Sequence, residues 1–126
     1  MVKAALLGAS LAPSLAHRIL KRLQEANYQI FPINPKYEQI DDTACFASLE
    51  ELPVLPEVVI FMVNPKLSVQ LLPQLEKLGI KKARFQPETF DKEVVALAEE
   101  LGLSYEDQKC LLIAPPDALA NFVAKK

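Results

Sequence analysis

The strongest constraint on what this chain can fold into lies at its beginning. Ala4-Ala5-Leu6-Leu7 is a short apolar run that ends in Gly8-Ala9-Ser10. An amphipathic stretch follows, and then a second apolar run, Tyr28-Gln29-Ile30-Phe31-Pro32-Ile33, that ends in Asn34-Pro35. The order reads as strand, tight turn, helix, strand. Two strands joined by a helical crossover lie parallel, and right-handed crossovers of this kind build sheets with helices on both faces. Small residues after the first strand let the backbone come close to a phosphate. They also let a helix N-terminus, with its free N–H groups, face it.

The same grammar of amphipathic helix, left-handed cap and short apolar strand occurs three times. The first helix is expected over Ser14–Ala26, with Leu15, Ile19, Leu20 and Leu23 as its apolar stripe and Asn27 as its cap. The second runs from Pro65 or Ser68 to Leu78, is capped by Gly79, and leads into a strand over Lys82–Phe85. The third runs from Asp91 to Leu101, is capped by Gly102, and leads into Leu103–Tyr105. Gly8, the remaining glycine, is left for the turn after the first strand. Val58-Val59-Ile60-Phe61-Met62-Val63 is apolar throughout, as a central parallel strand covered on both faces should be. Ser48-Leu49-Glu50-Glu51 has a capping-box pattern that predicts a short helix. Leu111–Ile113 reads as a last strand, stopped by Pro115-Pro116, with Asp117 capping a final helix over Ala118–Lys126. The fold class is α/β: a three-layer, doubly wound, mainly parallel Rossmann-like sheet forming one domain over residues 1–126.

Composition narrows the partners. The net charge is −2, so no basic excess points to nucleic acid, and no Lys/Arg cluster points to a membrane surface. No apolar run approaches the ~20 residues of a membrane span. Met1–Ala16 has Lys3 and small residues in the manner of a leader peptide. Its apolar run is broken by Gly8, Ser10 and Pro13, and a buried first strand accounts for it. Cys45 and Cys110 lack metal-ligand spacing and only one His is present, so no metal site is expected. Free thiols in a reducing cytosol, and hence a cytoplasmic location, fit that usage.

In a doubly wound sheet, ligands sit beyond the C-terminal strand ends, where the strand order reverses. Three strand ends are expected to meet there: Gly8-Ala9-Ser10, Asn34-Pro35-Lys36 and Val63-Asn64-Pro65. A dinucleotide fingerprint would need three glycines and an acid at the end of the second strand. This chain offers Gly8 alone, and Asn34, Pro35 and Lys36 in place of the acid. A lysine at that position suits a phosphorylated ribose, as in NADP or coenzyme A, better than a free diol; an ordinary exposed loop lysine is the plainer alternative. His17 has no Asp or Ser partner nearby in sequence and reads as a polar helix residue, so no catalytic residue is assigned. Cys110, beside Lys109, reads as a quiet thiol near a strand end.

Over Ala4–Cys110 the chain resembles the small single-domain CoA-binding proteins, whose Rossmann-like domain is similar to the CoA-binding part of the succinyl-CoA synthetase α subunit. The resemblance rests on Gly8-Ala9-Ser10, Tyr28 and Pro32-Ile33-Asn34-Pro35-Lys36-Tyr37-Glu38. It continues through Cys45-Phe46-Ala47-Ser48-Leu49-Glu50-Glu51-Leu52-Pro53, the strand at Val58, Gln86 and the stretch Asp107 to Cys110. It implies binding of coenzyme A or an acyl-CoA. Gly8, Ala9 and Ser10 would hold the pyrophosphate, Asn34, Pro35 and Lys36 would line the adenine or ribose-phosphate side, and Val63 and Asn64 would close the cleft. The chain departs from the family pattern at Leu11-Ala12, where polar residues are usual, and at Ala16, where Ser is common. It departs again at Ile60-Phe61-Met62, where an Asp is usual, and at Pro87-Glu88, where Gly is preferred. The tail, residues 112–126, is atypical.

The function expected is non-catalytic binding of a small nucleotide ligand. The alternatives are an NADP-dependent oxidoreductase and a degenerate Rossmann domain that acts through protein contacts. Leu119, Phe122 and Val123, at near-helical spacing, make a homodimer contact or a face packed on its own domain.

Overall fold

A computed structural model describes residues 1–107 and 109–125. Strand β1 (Lys3–Leu7) leads through the Gly8 turn into α1 (Leu15–Glu25) and β2 (Gln29–Ile33). A small hairpin follows, β3 (Gln39–Ile40) and β4 (Thr43–Ala44), and then a single 3-10 turn over Leu49–Glu51. The chain continues through β5 (Val58–Phe61), α2 (Pro65–Leu78), β6 (Lys82–Phe85), α3 (Lys92–Glu100), β7 (Ser104–Glu106) and α4 (Ala118–Ala124). The main sheet has five strands in the order β2-β1-β5-β6-β7, and every neighbouring pair is parallel. Strand order therefore reverses between β1 and β5, as the sequence predicts.

Alternation along the central strands divides the core into two layers. Ala4 and Leu6 of β1, with Val58 and Ile60 of β5, pack toward Ile19, Leu20 and Leu23 of α1 and Leu119 and Phe122 of α4. Ala5, Leu7, Val59 and Phe61 face the other way, onto Leu72 and Leu75 of α2 and Val94 and Ala98 of α3. Strands buried on both faces account for the unbroken apolar run at β5. The helix ends follow local chemistry. The Ser14 and Asp91 side chains accept from His17 N and Val94 N, Asn27 adopts φ +69°, and Gly79 and Gly102 are left-handed.

Two local expectations are corrected. Residues 111–113 form no strand. Ile113 and Ala114 donate to Cys110 O in a turn, and the Arg22 guanidinium binds Leu111 O (3.0 Å) and Ala114 O (2.9 Å). The Gln86 side chain accepts from Leu111 N at 3.0 Å, so side chains satisfy backbone groups that a strand would have paired. The capping-box segment closes only one 3-10 turn, and neither Ser48 nor Asp117 makes a side-chain capping bond. Of the two readings of α4, packing on its own domain holds for Leu119 and Phe122, which are buried in the chain's own core. Lys82 Nζ donates to the carbonyls of Phe122 and Val123 near the end of that helix, and Tyr28 Oη donates to Pro116 O and accepts from Ala120 N. The end of the expected helix, Lys126, lies outside the described residues. No helix among the described residues is long and apolar enough to cross a membrane.

Candidate functional site

The site is built on the turn that ends β1. Gly8 has φ +87°, and a Cβ placed there would overlap the Met62 carbonyl oxygen and lie 2.9 Å from Val63 Cγ1. Only glycine allows the β1 and β5 ends to approach this closely. Gly8 N donates to Ile33 O and Met62 N donates to Leu7 O, so the ends of β1, β2 and β5 are tied together at the reversal point.

Asn34 fixes the next corner. Its Nδ2 donates to Ala9 O at 2.8 Å and its Oδ1 accepts from Lys36 N at 2.9 Å. One amide therefore holds the loop after β1 against the loop after β2, and leaves the Lys36 side chain exposed. On the third corner, Asn64 caps α2 by accepting from Leu67 N at 2.8 Å, with Pro65 in the first helical turn, where its missing N–H costs nothing.

Beside this junction, on the α2 face of the sheet, is a cleft of about 440 Å³. That is within the range of about 300–1,000 Å³ usual for small-molecule pockets. Its floor is Leu7, Gly8 and Val63; one wall is Ile33, Asn34, Pro35, Ala47, Ser48 and Leu49; the other is the α2 stripe Leu67, Leu71 and Gln74. No charged residue lines it. The structure thus brings Gly8, Asn34, Pro35 and Val63 of the expected site residues into one cleft. The other four stand around it. Ala9 is fully buried in the α1-side core, and Ser10 lies on the loop after β1, its hydroxyl donating to Ser14 Oγ at 2.7 Å. Lys36 is exposed at the β2 end, and the Asn64 side chain is occupied as a cap. Sequence reasoning missed the α2 wall and the inner role of residues 47–49. Leu67, Leu71 and Gln74 are spaced i, i+4, i+7, a second helical stripe beside the buried one of Ser68, Leu72 and Leu75, and that spacing was the available signal.

Other chemistry lies outside the cleft. A more open groove of about 670 Å³ runs between α1 and the tail. Most of its cations already have partners: Arg22 holds the tail, while His17 Nε2 and Lys21 Nζ meet Asp41 Oδ2 at 2.7 and 3.3 Å. The hydrogen bond from His17, and then that from Lys21, hold the Asp41 carboxyl below its ordinary value. His17 therefore has an acidic partner after all, 24 residues away, where it pins the β3–β4 hairpin to α1. Gln86 is buried; its Nε2 donates to Cys110 Sγ at 3.1 Å, which makes it a brace for the loop after β7. Arg84 is also buried, bonded to the carbonyls of Phe85 and Lys109. Burial lowers its pKa, against the opposing influence of Glu106, Cys110 and Asp107. Both cysteines are free, and burial pushes the Cys45 thiol up.

Comparison with known proteins supports the same location in fold space. Residues 3–116 match the family model described as a CoA binding domain. A conserved hypothetical protein from Pyrococcus furiosus has a similar structure, with TM-score 0.84 and 33% identity, the match covering 90% of this chain and 98% of that one. A hypothetical protein from Pyrococcus horikoshii gives TM-score 0.80 and 36% identity over 86% of this chain and 78% of that one. An ADP-forming acetate–CoA ligase of Archaeoglobus fulgidus is 25% identical over 107 residues, 77% of this chain but 16% of the ligase. One from Methanocaldococcus jannaschii is 30% identical over 80 residues, 63% of this chain and 11% of the ligase. The chain thus spans only a small part of the curated relatives it matches. With a parallel sheet reversing at a glycine turn, and a family model that covers nearly all of it, this chain belongs to the CoA-binding domain family.

Proposed function

We propose that this chain binds coenzyme A, free or acylated, at the reversal point of its sheet, as a binding module without catalytic residues of its own. The observation that carries this reading is the division of the site into an uncharged cleft and a polar rim. Twelve residues line the cleft and none is charged, so phosphates are unwelcome inside it and a neutral heteroaromatic base with its ribose is suited to it. The phosphates belong at the rim. There the N–H group of Ser10 donates to no backbone acceptor among the described residues, and α1 directs its N-terminus toward the same loop. Lys36 stands where a dinucleotide domain would place a carboxylate for a ribose diol, and its charge favours a ribose that carries a phosphate. Asn34 and Pro35 line the side from which the ribose enters, Val63 forms the floor, and Asn64 holds the mouth of α2 in place.

Thermal unfolding with CoA, acetyl-CoA, NAD and NADP at matched ionic strength tests the proposal. A ligand at 100 times its Kd stabilises the native state by about 2.7 kcal/mol, which is a rise of several degrees for a domain this size. A rise with CoA and acetyl-CoA alone is the expected result. A rise with NADP alone would move the assignment to an oxidoreductase, and no rise with any of the four would overturn ligand binding in favour of protein contacts.

A further inference from the structure

The proposed CoA site contains polar groups that its own architecture does not use. Of the three polar side chains lining the cleft, Asn34 is spent on Ala9 O and Lys36 N. The Ser48 hydroxyl makes no capping bond, and neither it nor the Gln74 amide has a hydrogen-bond partner among the described residues. No buried side-chain polar atom among the described residues is left unsatisfied, so both groups reach solvent in the cleft.

Their position matters. Helix α2 begins at Pro65, beside the rim, and the cleft-facing stripe Leu67, Leu71 and Gln74 runs inward from it. Seven residues of helix span about 10 Å, so Gln74 lies at the end of the cleft far from the phosphate turn. A ligand anchored at the rim by its phosphates would put its base, not its ribose, against that amide. A glutamine amide offers one acceptor and a pair of donors side by side. Adenine presents the complementary pair: a donor at N6 next to an acceptor at N7 or N1. Two bonds made at once to that edge discriminate by about 5- to 150-fold in nucleic-acid recognition. The hydrophobic wall alone could hold any flat ring and would discriminate little.

We infer that Gln74 reads the hydrogen-bonding edge of the adenine base and makes the cleft selective for an adenine nucleotide. This rests on the proposed CoA site, and the experiment separates the two. The probes are CoA and 1,N6-etheno-CoA, in which the added ring blocks N1 and N6 while leaving the ribose, the phosphates and the pantetheine unchanged. Their affinities are measured by calorimetry on the wild-type chain and on Gln74→Leu, a change that keeps helix propensity.

The wild-type protein should bind CoA about 10-fold or more tightly than etheno-CoA, and Gln74→Leu should lose that preference by weakening CoA alone, as two edge bonds of this kind require. Equal affinity of the wild type for the two ligands overturns the inference and leaves the CoA site standing, and so does an equal loss on both in Gln74→Leu. Absence of CoA binding to the folded wild-type protein overturns the site, and the inference with it. Should Gln74→Leu fail to fold, Gln74→Met takes its place, with a loss confined to CoA expected and a loss shared by etheno-CoA overturning the inference.

Discussion

Replacing Gly8 by alanine tests how closely β1 and β5 approach at the site. Gly8 has φ +87°, and an added Cβ would overlap the Met62 carbonyl oxygen and come within 2.9 Å of the Met62 carbonyl carbon and Val63 Cγ1. Two costs add. A left-handed backbone costs an L-residue about 1–2 kcal/mol. Forcing an atom into a packed junction costs about 1–3 kcal/mol more. Against them stands the reduced freedom of the unfolded chain, which returns about 0.4–1 kcal/mol. The net loss is about 1–5 kcal/mol, a large share of the ~5–15 kcal/mol that holds a domain together. At about 4 °C per kcal/mol for this chain length, the midpoint should fall by roughly 4–20 °C.

Gly102 supplies the control: it has φ +74° and open space around its missing Cβ, so Gly102→Ala carries the backbone strain without the clash. Its net loss should be about 0–1.6 kcal/mol. Urea denaturation of both variants beside the wild type is the assay. Equal losses for Gly8→Ala and Gly102→Ala would refute the close approach of β1 and β5 at the Gly8 turn.

Three further outcomes follow from the same contacts. Lys36→Ala should weaken CoA by about 2–5-fold, the value of one exposed ion pair, and leave 3′-dephospho-CoA unchanged in calorimetry; an equal loss on both would remove Lys36 from the ribose phosphate. Arg22→Ala strips Leu111 O and Ala114 O of their donors and should destabilise by about 2–3 kcal/mol, with faster amide exchange in residues 109–116, and Arg22→Lys should not rescue it because one ammonium cannot reproduce the fork. The Asp41 carboxyl is held below its ordinary 3.8, so its contribution is complete above that value and is lost as the pH falls through the lower folded one. Asp41→Asn, whose side chain tolerates the φ of +53°, should therefore flatten the acid limb of the stability–pH curve below about pH 4. An unchanged limb would show that the His17–Asp41 pair does not hold the hairpin.

What could be read from the sequence was what local chemistry decides. The Gly8 turn, the Ser14 cap, and the left-handed Asn27, Gly79 and Gly102 each follow from one residue and its neighbours. The reversal of strand order followed from helices between apolar runs. Contacts between distant segments were hidden. Leu111–Ile113 looks like a strand because it is apolar, and becomes a turn because Arg22 and Gln86 supply bonds from far away in the chain. The β3–β4 hairpin has two residues on each side, too few to show alternation, and is held by Asp41 bonding to α1. Half of the cleft was missed for a related reason. Periodicity in α2 marks an apolar helix, and cannot say that Leu67, Leu71 and Gln74 face an opening while Leu72 and Leu75 face the sheet.

The central claim is that CoA occupies the uncharged cleft with its phosphates at the Gly8 turn. Titration of the isotope-labelled protein with CoA, followed by amide chemical shifts, tests it most directly. Saturable shifts confined to residues 8–10, 34–36, 47–49 and 63 and to the α2 stripe from Leu67 to Gln74 are the predicted result. Saturable shifts centred instead on the groove between α1 and the tail, at Arg18, Arg22 and Leu112, or no shifts at all, would contradict it.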